Sequence, residues 1–200
     1  MRAFVLALIV TCAAAWGGAA VGTAVPPPDL DVLWENPYEY DWMTYAFFCS
    51  GGHHTQDDFT FEESGVIMGF EGWFGYKTEH PKPFTATIRL DSGGNPGGIL
   101  WTADITNVGD YYTGDSFWDQ DVYRTLLTID EEDYVSIGAG TTYWLDLYWT
   151  GLHPGYWLCE DIGNLYALDE HYDFSAFFTI LGSPESGVEP MSWGEIKATF

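Results

Sequence analysis

Positive charge is scarce in this chain. Lys and Arg number 6 against 30 Asp and Glu, a formal net charge of −24 over 200 residues. A surface so short of cations repels a phosphate backbone, which excludes nucleic acid as a partner. Three accounts of the acidity stand: solubility through self-repulsion, a saline medium, or carboxylates gathered around calcium. Cysteine is also sparse, with only Cys12, Cys49 and Cys159, and no pair has the short spacing of a zinc finger. Beyond the first residues no stretch holds the roughly 18 consecutive apolar residues that a membrane-spanning helix needs. Nothing between residues 45 and 182 keeps a helical period for more than a turn or two, which excludes a helical bundle. Neither the Gly-x-Ser-x-Gly elbow of a serine hydrolase nor an EF-hand loop occurs. Apolar residues at 46% and aromatics at 18% of the chain exclude a disordered acidic polymer.

The first residues read as an export leader over 1–24. Arg2 supplies the positive start, Phe4 to Ala15 an apolar stretch, and Gly22-Thr23-Ala24 a small-residue cleavage site. Export predicts an extracellular or cell-surface location. Removing the leader removes Cys12 and leaves Cys49 and Cys159, an even count for an oxidising compartment. A Cys49–Cys159 disulfide is the expectation, with two buried thiols as the alternative. Residues 25–44 read as a Pro-rich spacer, opened by Pro26, Pro27 and Pro28, and an irregular acidic, aromatic segment.

From residue 45 a period of two takes over. Val66, Met68, Phe70, Phe74 and Tyr76 fall on one face of an extended chain, as do Phe84, Ala86, Ile88 and Leu90. Tyr123, Thr125, Leu127 and Ile129 form a third such face, Tyr143, Leu145, Leu147 and Trp149 a fourth, and residues 174–180 supply another strand. Gly- and Pro-rich turns separate these runs. Many short strands between such turns predict an all-β, antiparallel β-sandwich of jelly-roll type over residues 45–182, followed by an acidic linker and tail over 183–200.

Several motifs carry a resemblance. Asp57-Asp58-Phe59, Trp73 within the glycine-bounded run 69–75, Ile88-Arg89-Leu90-Asp91 with Asn95-Pro96-Gly97, and Ala139-Gly140-Thr141-Thr142-Tyr143-Trp144-Leu145 follow in that order. The order resembles a loosely defined group of secreted bacterial β-sandwich surface domains, over about residues 45–182. The resemblance implies the sandwich fold and a surface setting, and it brings no activity with it. The closing Ser192-Trp193-Gly194-Glu195-Ile196-Lys197 looks like short C-terminal sorting tails of exported bacterial proteins. Such tails usually end on a basic residue, where this chain has Phe200.

Candidate site residues come from strand parity. His53, His54, Asp57 and Asp58 crowd together in sequence, but neighbours on a strand point to opposite faces, which argues against one zinc ion or an acid/base pair. Asp57 and Asp58 either close a loop or supply calcium ligands at a strand entrance, calcium being the one cofactor this chain suggests. If Tyr143, Leu145 and Leu147 face the core, then Trp144, Asp146 and Tyr148 face out, as do Trp73, Glu71 and Arg89 on their own strands. Brought onto one sheet, Trp73, Arg89, Trp144, Asp146 and Tyr148 would make a contact face of aromatic platforms beside charges. Rings stack on sugar faces while carboxylates accept sugar hydroxyls, so a glycan or another cell-surface component is the partner this face suggests. That predicts a non-catalytic binding or surface-structural module. A glycoside hydrolase using Glu71 and Asp146 is the alternative, and requires the two carboxylates about 5 to 10 Å apart. A purely architectural surface protein is the third reading, expected if residues 29–44 cover the aromatic face.

Overall fold

A computed structural model describes residues 30–38, 45–76, 84–118, 120–150, 155–161 and 163–184. The expected leader, the proline spacer and the tail from residue 185 lie outside these residues. In chain order the strands are β1 (Asp31–Asn36), β2 (Tyr45–Phe48), β3 (Thr55–Thr60), β4 (Gly65–Tyr76), β5 (Phe84–Asp91), β6 (Pro96–Ile105), β7 (Asn107–Phe117) and β8 (Gln120–Thr128). They continue as β9 (Val135–Ile137), β10 (Thr142–Trp149), β11 (Tyr156–Glu160), β12 (Leu165–Ala167), β13 (Glu170–Tyr172), β14 (Ser175–Ala176) and β15 (Phe178–Pro184).

These strands form two antiparallel sheets packed face to face, the sandwich expected from the alternation. One sheet has six strands in the order β13-β12-β3-β10-β5-β6. The other has nine, centred on β4, which pairs with β8 and β9 on one side and with β15 and β11 on the other.

The alternating runs build the shared core. Phe84, Ala86 and Ile88 of β5 meet Phe70 and Phe74 of β4, with Tyr143, Leu145, Leu147 and Trp149 of β10 beside them. Each faces inward because the pleat alternates side chains across the sheet. In β4 the expected face holds only in part. Ile67 enters the core in place of Val66 and Met68. The cause is a bulge: Leu181 pairs with Gly69, yet the next residue, Gly182, pairs with Ile67. The extra residue, Met68, reverses the parity of everything before it.

The segment expected to be irregular contains β1, the edge strand beside β15. Its own bulge lies at Leu33, because Val32 pairs with Leu181 and Trp34 with Ile180. That bulge lets both Leu33 and Trp34 pack against the core and hides the alternation. The two bulges meet at Gly182, where a Cβ would lie 2.0 Å from the Val66 carbonyl oxygen and 2.8 Å from Leu33 Cδ1. Only glycine fits there.

No disulfide forms: Cys49 and Cys159 are both free and fully buried. Strand register explains this correction. Cys159 pairs with Tyr45, whereas Cys49 lies opposite Gly155, whose carbonyl accepts its N–H at 3.1 Å. The two cysteines are therefore four places apart on the ladder, about 13 Å at roughly 3.3 Å per residue. A disulfide needs Cα atoms within about 7 Å. Burial pushes both thiols well above their ordinary range. Alkylation followed by mass spectrometry should leave Cys49 and Cys159 unmodified in the native protein and label both in denaturant.

One carboxylate lies inside the sandwich. Asp57 of β3 is fully buried, and its Oδ2 accepts hydrogen bonds from Ser175 Oγ at 2.8 Å and from the Ala176 N–H at 2.7 Å, both on β14 of the other sheet. Its Oδ1 accepts the Asp58 N–H at 2.9 Å. Asn36, at the end of β1, donates to Ser175 Oγ at 3.1 Å and to the Ala176 carbonyl at 2.9 Å. Burial raises the Asp57 carboxyl well above its ordinary value, against the pull of these donors. Asp57→Ala should lower unfolding free energy in denaturant titrations by about 3 kcal/mol or more, at roughly 1–3 kcal/mol for each buried donor left unpaired. In the wild type the folded chain holds this proton more tightly than the unfolded chain does. Stability should therefore fall as pH rises from the ordinary carboxyl value through the raised one, and Asp57→Asn should remove that component.

Candidate functional site

The pleat sends Trp144, Asp146 and Tyr148 of β10 to the outer face of the six-stranded sheet. There Asp58 and Gln56 of β3 flank Trp144 and Asp146 on one side, and Arg89 and Thr87 of β5 flank them on the other. Trp73 and Glu71 are on β4, in the other sheet. The five residues expected on one face are thus divided between the two outer surfaces of the sandwich. The runner-up carboxylate pair is divided as well: Glu71 and Asp146 point away from each other across sheets spaced about 10 Å apart, so no sugar bond can lie between them.

Trp144 faces outward but is completely buried. The connection between β5 and β6 folds over it: Asp91 accepts the Trp144 indole N–H at 3.0 Å, and the Gly97 carbonyl accepts Arg89 Nη1 at 3.1 Å. Asp91 also accepts the N–H groups of Gly93 and Gly94 within its own turn, and its carboxyl is held below the ordinary range, first by the Trp144 indole. Trp144 and Arg89 thus fix a loop and leave no ring face for a ligand.

Trp73 is partly covered too. It stacks on Tyr38 at 5.8 Å and 12°, and Tyr38 meets Phe177 edge-on at 5.3 Å. With Val122 and Leu158 these residues make a second, smaller core on the outside of the nine-stranded sheet. Beside it runs a groove of about 440 Å³, lined among others by Val32, Trp73, Glu71 and Arg124. Glu71 is buried and ion-paired to Arg124 at 2.5 Å. On this side Tyr38, just after β1, covers part of Trp73.

Asp57 and Asp58 diverge as neighbours in a strand must. Asp57 is spent on the cross-sheet bonds, and Asp58 is half-buried on the outer face, its carboxyl raised by burial. Among the described residues no group of three or more His, Cys, Asp or Glu side chains is placed to hold a metal ion.

Asp146 has the setting of a binding group. It is 2% exposed, and its Oδ2 receives His54 Nδ1 at 2.7 Å and Gln56 Nε2 at 3.4 Å. A carboxylate accepts only, so it turns the Gln56 amide nitrogen toward itself and holds the His54 proton on Nδ1. In the neutral ring Nε2 then carries the lone pair. The His54 ring stacks on Tyr148 at 4.6 Å and 20°, and the Tyr148 hydroxyl accepts the Gly52 N–H at 2.9 Å. His54, Gln56, Tyr166 and Leu168 line a hollow of about 360 Å³ between the turns at Gly52 and Asp169.

Five buried side-chain atoms among the described residues lack a hydrogen-bond partner, and the two carbonyl-type oxygens among them, Gln56 Oε1 and Asp146 Oδ1, both belong to this cluster. Arg89 Nε, two positions along the neighbouring strand, is a third. Another hollow, of about 680 Å³, lies between β1 and residues 60–64 but contains no such atom. Of the cluster, parity identified Asp146 and Tyr148. His54 was visible only as part of a histidine pair, and Gln56, Tyr166 and Leu168 carried no sequence signal, because their meeting depends on strand register.

No protein-family model, curated protein or solved structure matches this chain.

The hydrogen bond to Asp146 raises the His54 imidazole above its ordinary 6.5, opposed by partial burial and, less, by Arg89. The folded value lies above the unfolded one, so the stabilisation from this pair is complete below about pH 6.5 and is lost as pH rises through the folded value. An NMR titration should find His54 titrating above 6.5 in the native protein and at a lower pH in Asp146→Asn.

Proposed function

We propose that this chain is an exported, non-catalytic binding module of the all-β sandwich class, acting outside the cell or at its surface, and that its ligand is a carbohydrate held at the His54–Asp146 hollow. The observation that carries the reading is the pair of buried, unpartnered acceptors. Leaving such an oxygen without a donor costs about 1–3 kcal/mol, and a hydroxyl group entering the hollow that Gln56 lines supplies a donor to Gln56 Oε1, with Asp146 behind that wall holding Gln56 and His54 in place. Tyr166 and Leu168 offer apolar surface to the ring carbons of the same ligand, the usual division of labour in a small-molecule site. The leader-like first residues and the resemblance to secreted bacterial surface sandwiches support the extracellular setting.

A glycan array probed with and without chelator should give binding that is indifferent to calcium removal. His54→Ala and Gln56→Ala should each weaken it roughly tenfold to a hundredfold, at about 1.5–3 kcal/mol for a charge-assisted hydrogen bond. No binding to any glycan under either condition would sink the proposal in favour of a purely architectural role.

A further inference from the structure

Three residues other than glycine have positive φ among the described residues: Trp118 at 56°, Leu168 at 53° and Asp169 at 64°. For a side-chain-bearing residue this left-handed region is strained, and such strain persists only where the surroundings enforce it. Leu168 and Asp169 form the two-residue turn between β12 and β13, a geometry that Asn-Gly adopts with far less strain. Trp118 begins the turn between β7 and β8. Trp118 and Leu168 are also strongly exposed, at 71% and 56%. Two large apolar side chains are thus held in water by turns that a small residue would make more easily.

One continuous strip of surface joins them. The Trp118 ring stands edge-on to Tyr156 at 6.1 Å, Tyr156 lies 4.5 Å from Phe48, and Phe48 lies 5.7 Å from His53. His53 and Leu168 then line the hollow beside His54. Phe48 is itself 41% exposed. The strip starts on the nine-stranded sheet, rounds the edge of the sandwich through the glycine turn at Gly51 and Gly52, and ends at the hollow lined by His53, His54, Gln56 and Leu168.

We propose that this strip is an extended groove for a neutral polysaccharide, with one sugar unit in the hollow and neighbouring units against the ring faces of His53, Phe48, Tyr156 and Trp118. The inference rests on the carbohydrate reading of the hollow and adds the class of ligand: a chain of uncharged units, longer than a monosaccharide. Rings in series, leading to the polar His54 and Gln56 of the hollow, suit a polymer that presents apolar faces and hydroxyl groups in every unit. The net charge of −24 repels polyuronates and sulfated glycans, and equally a second copy of this chain.

The test is calorimetry on the full chain with neutral gluco-, manno-, xylo- and chito-oligosaccharides, from monosaccharide to hexasaccharide. Affinity for one series should rise with length. Trp118→Gly should lower the hexasaccharide affinity roughly tenfold, as loss of an aromatic anchor does, while leaving the monosaccharide affinity unchanged. Because glycine relieves the turn, the same variant and Leu168→Gly should melt no lower than the wild type while binding the hexasaccharide more weakly. A structural role for these residues would instead move stability and affinity down together. Equal affinity for monosaccharide and hexasaccharide, or a length dependence that survives Trp118→Gly, overturns the groove and leaves the hollow standing. Absence of binding at every length overturns both, and binding confined to a basic protein counts against both.

Discussion

The sandwich is held by an interaction that an apolar core would not supply: a carboxylate inside it. Asp57 reaches from β3 to two donors on β14, and Asn36 ties the end of β1 to the same pair. Hydrophobic burial is non-directional and tolerates sliding of one sheet over the other. Hydrogen bonds to a buried carboxylate do not, because any shift leaves charge or donors unsatisfied in a medium of low dielectric. The cluster therefore fixes how the two sheets register, and that register decides which residues meet on each outer surface.

Those two surfaces have opposite characters. On the nine-stranded sheet, Tyr38 and Trp73 turn the exterior into a second apolar layer, and Arg124 serves Glu71. On the six-stranded sheet, the loop after β5 covers the Trp144 end with Arg89 bound to its backbone, and only the His54 end stays open. Arg89 and Arg124 are the two Lys or Arg residues among the described ones, and both are engaged in holding structure together. The open end presents His54, Gln56, Tyr166 and Leu168.

How much of this was legible follows from what strand parity encodes. Alternation in residues 84–90 and 143–149 reports the strands directly, and those core faces are as read except at Leu90, which is 43% exposed where the β5–β6 register shifts. Bulges defeat it, as Met68 and Leu33 show, because one extra residue reverses the pattern without changing composition. Parity also tells which way Trp144 points but says nothing of the loop that covers it. The disulfide expectation rested on parity of count and compartment, whereas bond formation depends on a ladder position that only the pairing of β2 with β11 sets. The pairing of His54 with Asp146 joins residues 92 positions apart, and no local pattern carries that information.

The position of β15 has a consequence for the order in which this molecule can be made. β15 is the neighbour of both β1 and the central β4, and the Asp57 cluster joins residues 118 and 119 positions apart. Contacts this distant pay their loop-closure entropy before they return any stabilisation, which makes such folds slow to form. During synthesis the nine-stranded sheet cannot finish until residues 178–184 have left the ribosome, whereas the six-stranded sheet has all its strands by Tyr172. Up to that point β4 lacks its partner along Gly65 to Gly72, an unpaired edge at the centre of the sheet.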